Sequence, residues 1–159
     1  MIQGNPEIDM IVKQASALAV EYKHSYVTLE HMALALIEYQ PFRTLLENFG
    51  ADVAGMSTDF RNYLTTQTHL SATSSDAPKK THALERVFNR ALTQVLFSSR
   101  SHMQVIDLFI SLHSESNSYA QYFMLKYGLS RNKLTEYRSE EYTSELQSRF
   151  GISYAVFCL

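Results

Sequence analysis

The feature that most constrains this chain is that much of it is written twice. Residues Val27–Leu36 line up with Met103–Leu112 when 76 is added to each number, so Leu29 falls on Val105, Met32 on Leu108 and Leu36 on Leu112. Further on, Leu45-Leu46…Phe49-Gly50 lines up with Phe123-Met124…Tyr127-Gly128 at an offset of 78. A two-residue insertion therefore lies in the connection before the seventh helix of the count below. A unit of this size cannot easily bury its own apolar face, so the halves are expected to pack on each other with pseudo-twofold symmetry.

Each half reads as four helices. Five Gly and three Pro in 159 residues favour long regular elements. Asn5-Pro6-Glu7 combines a capping residue, a proline at the first helical position and an acid. Ile8, Ile11, Val12, Ala15, Leu18, Ala19 and Tyr22 follow at spacings of three and four, which predicts a helix to about Lys23. His24–Val27 reads as a short polar connection. Thr28 caps the second helix, Glu30 meets the positive end of its dipole, and Leu29, Met32, Ala33, Leu36 and Ile37 mark one core-facing side. Pro41 opens a third helix that Gly50 closes, and Asp52 caps a fourth. The Ser/Thr-rich stretch from 65 to 81 reads as a mobile linker. Three further helices carry Leu84, Val87 and Ala91, then Val105, Leu108 and Leu112, then Tyr119, Phe123 and Tyr127. Ser130 caps a short eighth that fades near Tyr137.

Composition narrows the function classes. Apolar residues make up 45% and charged residues 19%, with a net charge of −2. That balance implies no general attraction to nucleic acid or to an anionic membrane. No apolar run approaches the length of a membrane span, and the N-terminus lacks the pattern of a signal peptide, so a cytoplasmic protein is the default. A single cysteine, Cys158, excludes an internal disulfide framework. The expected domain is 1–137: repeat one about 7–64, linker 65–81 and repeat two about 82–137. Residues 138–159 resemble the in-frame translation of a sequencing adapter and are read as an artefactual tail.

The chain lacks a phosphate-binding P-loop, a nucleophile elbow and an H-E-x-x-H motif. His24 and His31 are seven residues apart across a helix start, and two ligands do not make a structural zinc site. His31 reads as structural. Glu30 has two open roles, partner of the helix dipole or exposed binding residue. Met10, Met32, Met56, Met103 and Met124 read as core, as do most of the tyrosines. A metal enzyme built on His24, His31 and Glu30 is disfavoured. The residues alone point to an all-α, two-repeat binding module with no cofactor. A helical scaffold that binds partners through a Tyr-rich surface is the other reading.

The T-x-E-H-x-x-x-A-L start at Thr28–Leu36, Gly-x-Asp at Gly50–Asp52, and Thr81-x-x-x-Glu85-Arg86-Val87-x-x-Arg90-Ala91 together resemble the N-terminal domain of the Clp ATP-dependent unfoldases, ClpA most closely. The resemblance implies eight helices in two repeats. It also implies a non-catalytic role, docking a ClpS-like adaptor and unfolded or degron-bearing substrates for Clp ATPase modules, with no nucleic acid or membrane partner. Glu30, Thr81 and Arg86 match positions on the adaptor-facing side of ClpA. His24 matches a histidine of the same loop, Ser25 replaces an acidic contact, and Tyr26 lies beside them. Ile106 stands at the second-repeat position of Glu30, so the twofold phosphoarginine site of some relatives is not expected. The chain is either a fragment cut before its ATPase modules or a stand-alone modulator that competes with a host Clp unfoldase.

Overall fold

A computed structural model describes residues 5–67, 70–71 and 77–138. The described residues form eight helices and a two-stranded parallel sheet: α1 (Pro6–Glu21), β1 (Tyr26–Val27), α2 (Leu29–Glu38), α3 (Gln40–Asn48), α4 (Val53–Thr65), β2 (Lys79–Lys80), α5 (His82–Phe97), α6 (Val105–His113), α7 (Tyr119–Lys126) and α8 (131–138). The protein is all-α, with two four-helix repeats related by a pseudo-twofold axis.

The internal register survives in atomic detail. Both bounds of α1 fall on those of α5 when 76 is added. Lys23 (φ 58°) and Ser99 (φ 56°) are left-handed turn residues at that same offset. Gly50 (φ 89°) and Gly128 (φ 80°) occupy equivalent helix ends at the later offset of 78, where the left-handed backbone favours glycine. The cross-repeat bonds are paired too. The Asn5 side-chain amide donates to the Met103 carbonyl at 2.8 Å, and the Thr81 N–H donates to the Val27 carbonyl at 3.2 Å. Near the far end, Phe49 stacks on Tyr137 at 3.9 Å between ring centroids, and the Tyr127 hydroxyl donates to Asp59 at 2.8 Å. The insertion sits where expected: Tyr39 alone separates α2 from α3, whereas 114–118 separate α6 from α7, two of the four added residues being the insertion and two the equivalents of Glu38 and Gln40, which α6 and α7 leave out.

The core lies between the repeats. Sequence periodicity gives α2 a single core-facing side, but every residue from Leu29 to Ile37 is buried, and so is every residue of α6. Such all-round burial belongs to a central helix, and α2 has it because both repeats pack against it. Phe42 meets Phe109 edge to face at 5.0 Å across the repeat boundary. Gly55 in α4 is required by its cap. Its N–H donates to Asp52 at 3.0 Å, and a Cβ there would lie 2.5 Å from the other Asp52 oxygen.

Several expectations change. Helix α1 stops at Glu21. The connection 24–27 contains β1, which pairs in parallel with β2: Tyr26 with Lys79 and Val27 with Lys80. The stretch read as a mobile linker is anchored where it is described. Thr65 completes α4, the Leu70 carbonyl accepts from the Ser25 N–H at 2.7 Å, Ser71 bridges His24, and Thr81 caps α5. Met10, read as core, is 60% exposed, and Tyr119 and Tyr122 are more than half exposed. Of the tail, Arg138 continues α8 and lies 3.8 Å from Asp107, while 139–159 fall outside the described residues. Among the described residues no helix is long and apolar enough to cross a membrane.

Candidate protein-docking site

The start of α2 gathers three of the expected residues. The N–H of Thr28 and the His31 ring face each other because they stand at the first and last positions of a capping box. The Thr28 N–H donates to His31 Nδ1 at 2.9 Å, and the Thr28 hydroxyl meets the same nitrogen at 2.8 Å. Because Nδ1 accepts from a backbone N–H, the proton of neutral His31 sits on Nε2. Nε2 then donates to His24 Nδ1 at 2.9 Å. Burial, with His24 beside it, pushes His31 down to about 4, so the ring is neutral at physiological pH. His31 is therefore a structural residue. Among the described residues no group of three or more His, Cys, Asp or Glu could hold a metal ion.

Glu30 points elsewhere. Only 9% of it is exposed, and burial pushes its carboxyl up to about 7, partly offset by a backbone hydrogen bond and by the Tyr63 hydroxyl. Burial and the neighbouring Glu30 hold Tyr63 well above the usual phenol range. The Tyr63 ring lies 4.3 Å from Tyr119, which in turn meets Tyr122 at 6.3 Å. Of the two open roles, an openly exposed Glu30 is not what the fold provides. Its carboxyl sits at the inner end of an aromatic cluster formed by α4 and α7, a neighbourhood that sequence spacing could not reveal.

Ser25, Tyr26 and Thr81 come together through the β1–β2 ladder. The Lys79 N–H donates to the Ser25 carbonyl at 3.1 Å, the Thr81 N–H donates to the Val27 carbonyl, and the Thr81 hydroxyl accepts from the Leu84 N–H at 3.2 Å to cap α5. Tyr26 is 45% exposed on this edge. Arg86 lies apart from it. Its guanidinium joins Glu115 at 3.1 Å, and Arg90 joins the other Glu115 oxygen at 2.7 Å. Glu115 belongs to the connection 114–118 that carries the insertion, so the offset itself hinted that this connection would be special. The fold thus divides the expected residues into a β1–β2 edge, a buried histidine pair, an aromatic cluster around Glu30, and an Arg–Glu cluster on α5.

The described residues thus form two packed helical repeats with exposed aromatic and basic side chains between capped helix ends. The family described as the Clp repeat (R) N-terminal domain matches residues 5–127, and the chain belongs to it. This is a non-catalytic binding domain. A ClpA homolog protein from Fuscovulum blasticum is 25% identical over 126 residues, covering 78% of this chain and 16% of that relative. The chain thus spans well under two thirds of that relative's length. Among solved structures, the Hsp104 N-terminal domain from Candida albicans superposes with a TM-score of 0.72 at 15% identity, covering 84% of this chain and 87% of that one. A ClpV N-domain solved in complex with a VipB peptide superposes with a TM-score of 0.62 at 18% identity, covering 82% and 81%. These two likenesses bear on the fold.

Proposed function

We propose that this chain docks a ClpS-like adaptor, and unfolded or degron-bearing substrates, for a cytoplasmic Clp unfoldase. The docking unit is taken as about residues 1–137, with repeat one at 7–64, linker at 65–81 and repeat two at 82–137. The observation that carries the reading is the β1–β2 ladder, which sets Ser25 and an exposed Tyr26 beside Thr81, residues far apart in sequence. Arg86, paired with Glu115 on the α5 side, and Glu30, beneath the aromatic cluster, stand apart from this edge and are taken as further contact points for the same partner. His24 contributes by holding His31 under the cap. That a related N-domain was solved with a peptide supports a peptide-like partner.

The test is calorimetric titration with a ClpS-like adaptor. Tyr26→Ala and Arg86→Glu should each weaken binding about tenfold, as loss of an aromatic anchor or reversal of a rim charge does, with an unchanged melting curve for Tyr26→Ala and a small downward shift for Arg86→Glu, which loses its pair with Glu115. Wild-type affinity in both variants would overturn the assignment. A second reading, a helical scaffold or modulator acting through tyrosines, draws on Tyr119, Tyr122 and Leu125, which stand exposed at spacings of three along α7. Under that reading Tyr122→Ala abolishes partner capture while Tyr26→Ala does not.

A further inference from the structure

The fold holds an acid at a position where its other half holds an apolar side chain. Glu30 and Ile106 stand at the same register of α2 and α6, and both helices are buried on every side. Ile106 is closed from solvent and Glu30 nearly so. Helix α2 packs on α1, α3, α4, α6 and α7, and none of them offers Glu30 a counter-charge among the described residues. The acids and the lysine of α1 are exposed, and the side it buries is apolar. On α2 itself, His31 is neutral and bound to Thr28 and His24, and Glu38 is held by Arg61 at 2.6 Å. On α3, Arg43 and Glu47 hold each other at 2.6 Å. Asp59 of α4 takes Lys126 of α7 at 2.7 Å. On α6, Asp107 is gripped by Arg100, and His113 meets the Leu129 carbonyl at 2.9 Å. The polar neighbour left to Glu30 is the Tyr63 hydroxyl. Tyr63 lies against Tyr119, and Tyr119 and Tyr122 form the exposed end of this chain of rings. A buried carboxylate without a counter-charge is costly, so ionisation favours any rearrangement that wets it.

We propose that Glu30 is a proton-controlled latch on the tyrosine cluster. Protonated, it lets Tyr63 pack down on α2 and against Tyr119. Ionised, it draws in water, Tyr63 and Tyr119 part, and the surface that α7 presents changes. Burial raises the carboxyl from 4.5 to about 7 in the closed cluster, so the preference for closure is fully present below 4.5 and is lost as pH rises through 7. Across that window the opening equilibrium grows by at most about tenfold per pH unit. The latch lies on α2, α4 and α7 and needs no partner, so it stands whether or not the β1–β2 edge docks an adaptor.

The chain has no Trp, so its near-ultraviolet circular dichroism reports chiefly on the packing of its tyrosines. In the full chain the tyrosine band should lose intensity as pH rises from about 5 to about 8, while the far-ultraviolet helix signal stays constant. Glu30→Gln keeps the shape of the side chain and cannot ionise, so it should hold the low-pH band throughout. Should that variant not fold, Glu30→Ile, which installs the residue of the other repeat, serves the same comparison. Tyr119→Phe should shrink the change, whereas Tyr26→Phe, exposed on β1, should leave it intact. A flat band in the wild-type chain, the same change in the Glu30 variant, or an equal loss of amplitude in Tyr26→Phe and Tyr119→Phe would overturn the latch. So would a helix signal that falls in step with the tyrosine band, since that is unfolding of the whole domain.

Discussion

At the start of α2 the chain ties off a helix with two imidazoles. At the start of α6, at the same register, it ties off the equivalent helix with an ion pair. His24 and His31 become Arg100 and Asp107 when 76 is added. In both places the side chain at the third helical position accepts the N–H of the cap residue: His31 from Thr28 at 2.9 Å, Asp107 from Gln104 at 2.9 Å. In both, a residue seven positions earlier steadies it, His24 at 2.9 Å or Arg100 with a bidentate grip at 2.7 and 2.9 Å. The geometric requirement is shared: a buried helix start must satisfy its orphan N–H groups. The chemistry that meets it is not. Repeat two uses a buried ion pair, which is costly to leave half-made. Repeat one uses a neutral pair and places the titratable Glu30 where its copy has Ile106.

The largest effect should come from breaking the ionic version. Arg100→Leu strips the fully buried Asp107 of its bidentate partner, leaving Arg138 at 3.8 Å and the Gln104 N–H among the described residues, and should cost about 3–5 kcal/mol in urea unfolding. A cost under about 1 kcal/mol would mean the pair is not what holds α6. Next, His31→Ala unpairs the half-buried Thr28 N–H and leaves the buried His24 without its ring partner, and should cost about 2 kcal/mol by the same measurement.

The third test separates the repeats by pH. His31, with a folded pKa of about 4 against the ordinary 6.5 of an exposed histidine, contributes stability that is fully present above 6.5 and lost as pH falls toward 4. Glu30, raised from 4.5 to about 7, does the reverse, its contribution being present below 4.5 and lost as pH rises through 7. Between pH 4.5 and 6.5 the two slopes oppose each other. Glu30→Gln should therefore gain stability over wild type as pH rises through that window, by at most about 1.4 kcal/mol per pH unit. Urea midpoints that run parallel for the two proteins would refute the burial of Glu30 as a charge-sensitive feature. The smallest effect is expected at Arg86→Ala. That guanidinium is well exposed and Arg90 still holds Glu115, so the loss should stay below about 1 kcal/mol in thermal melts.

Much of the fold was legible in the chain because its signals are local. Caps at Asn5, Thr28 and Asp52, and the glycine stops at 50 and 128, act over one helical turn, and periodicity locates the helices between them. The site was legible only in part. His31 could be read as structural from the usual behaviour of a histidine on an apolar helix, and the structure adds the partner, Thr28, one turn away. That Glu30 meets Tyr63, that Arg86 meets Glu115, or that Tyr26 lies beside Lys79 could not be read, because each pairing joins residues 29 or more apart whose approach is set by helix packing. Met10 and Tyr122 were misassigned for a related reason: spacing identifies a helix face but not which face is left uncovered.

The sequence by itself determined a doubled arrangement of capped helices and, through its offsets of 76 and 78, the insertion before α7. Only the tertiary structure decided that α2 and α6 are buried on every side, that Glu30 turns inward, and that Tyr26, Lys79 and Lys80 stay exposed on the β1–β2 edge. Helix formation is settled by bonds between near neighbours, whereas burial and exposure are settled by which distant surfaces come together.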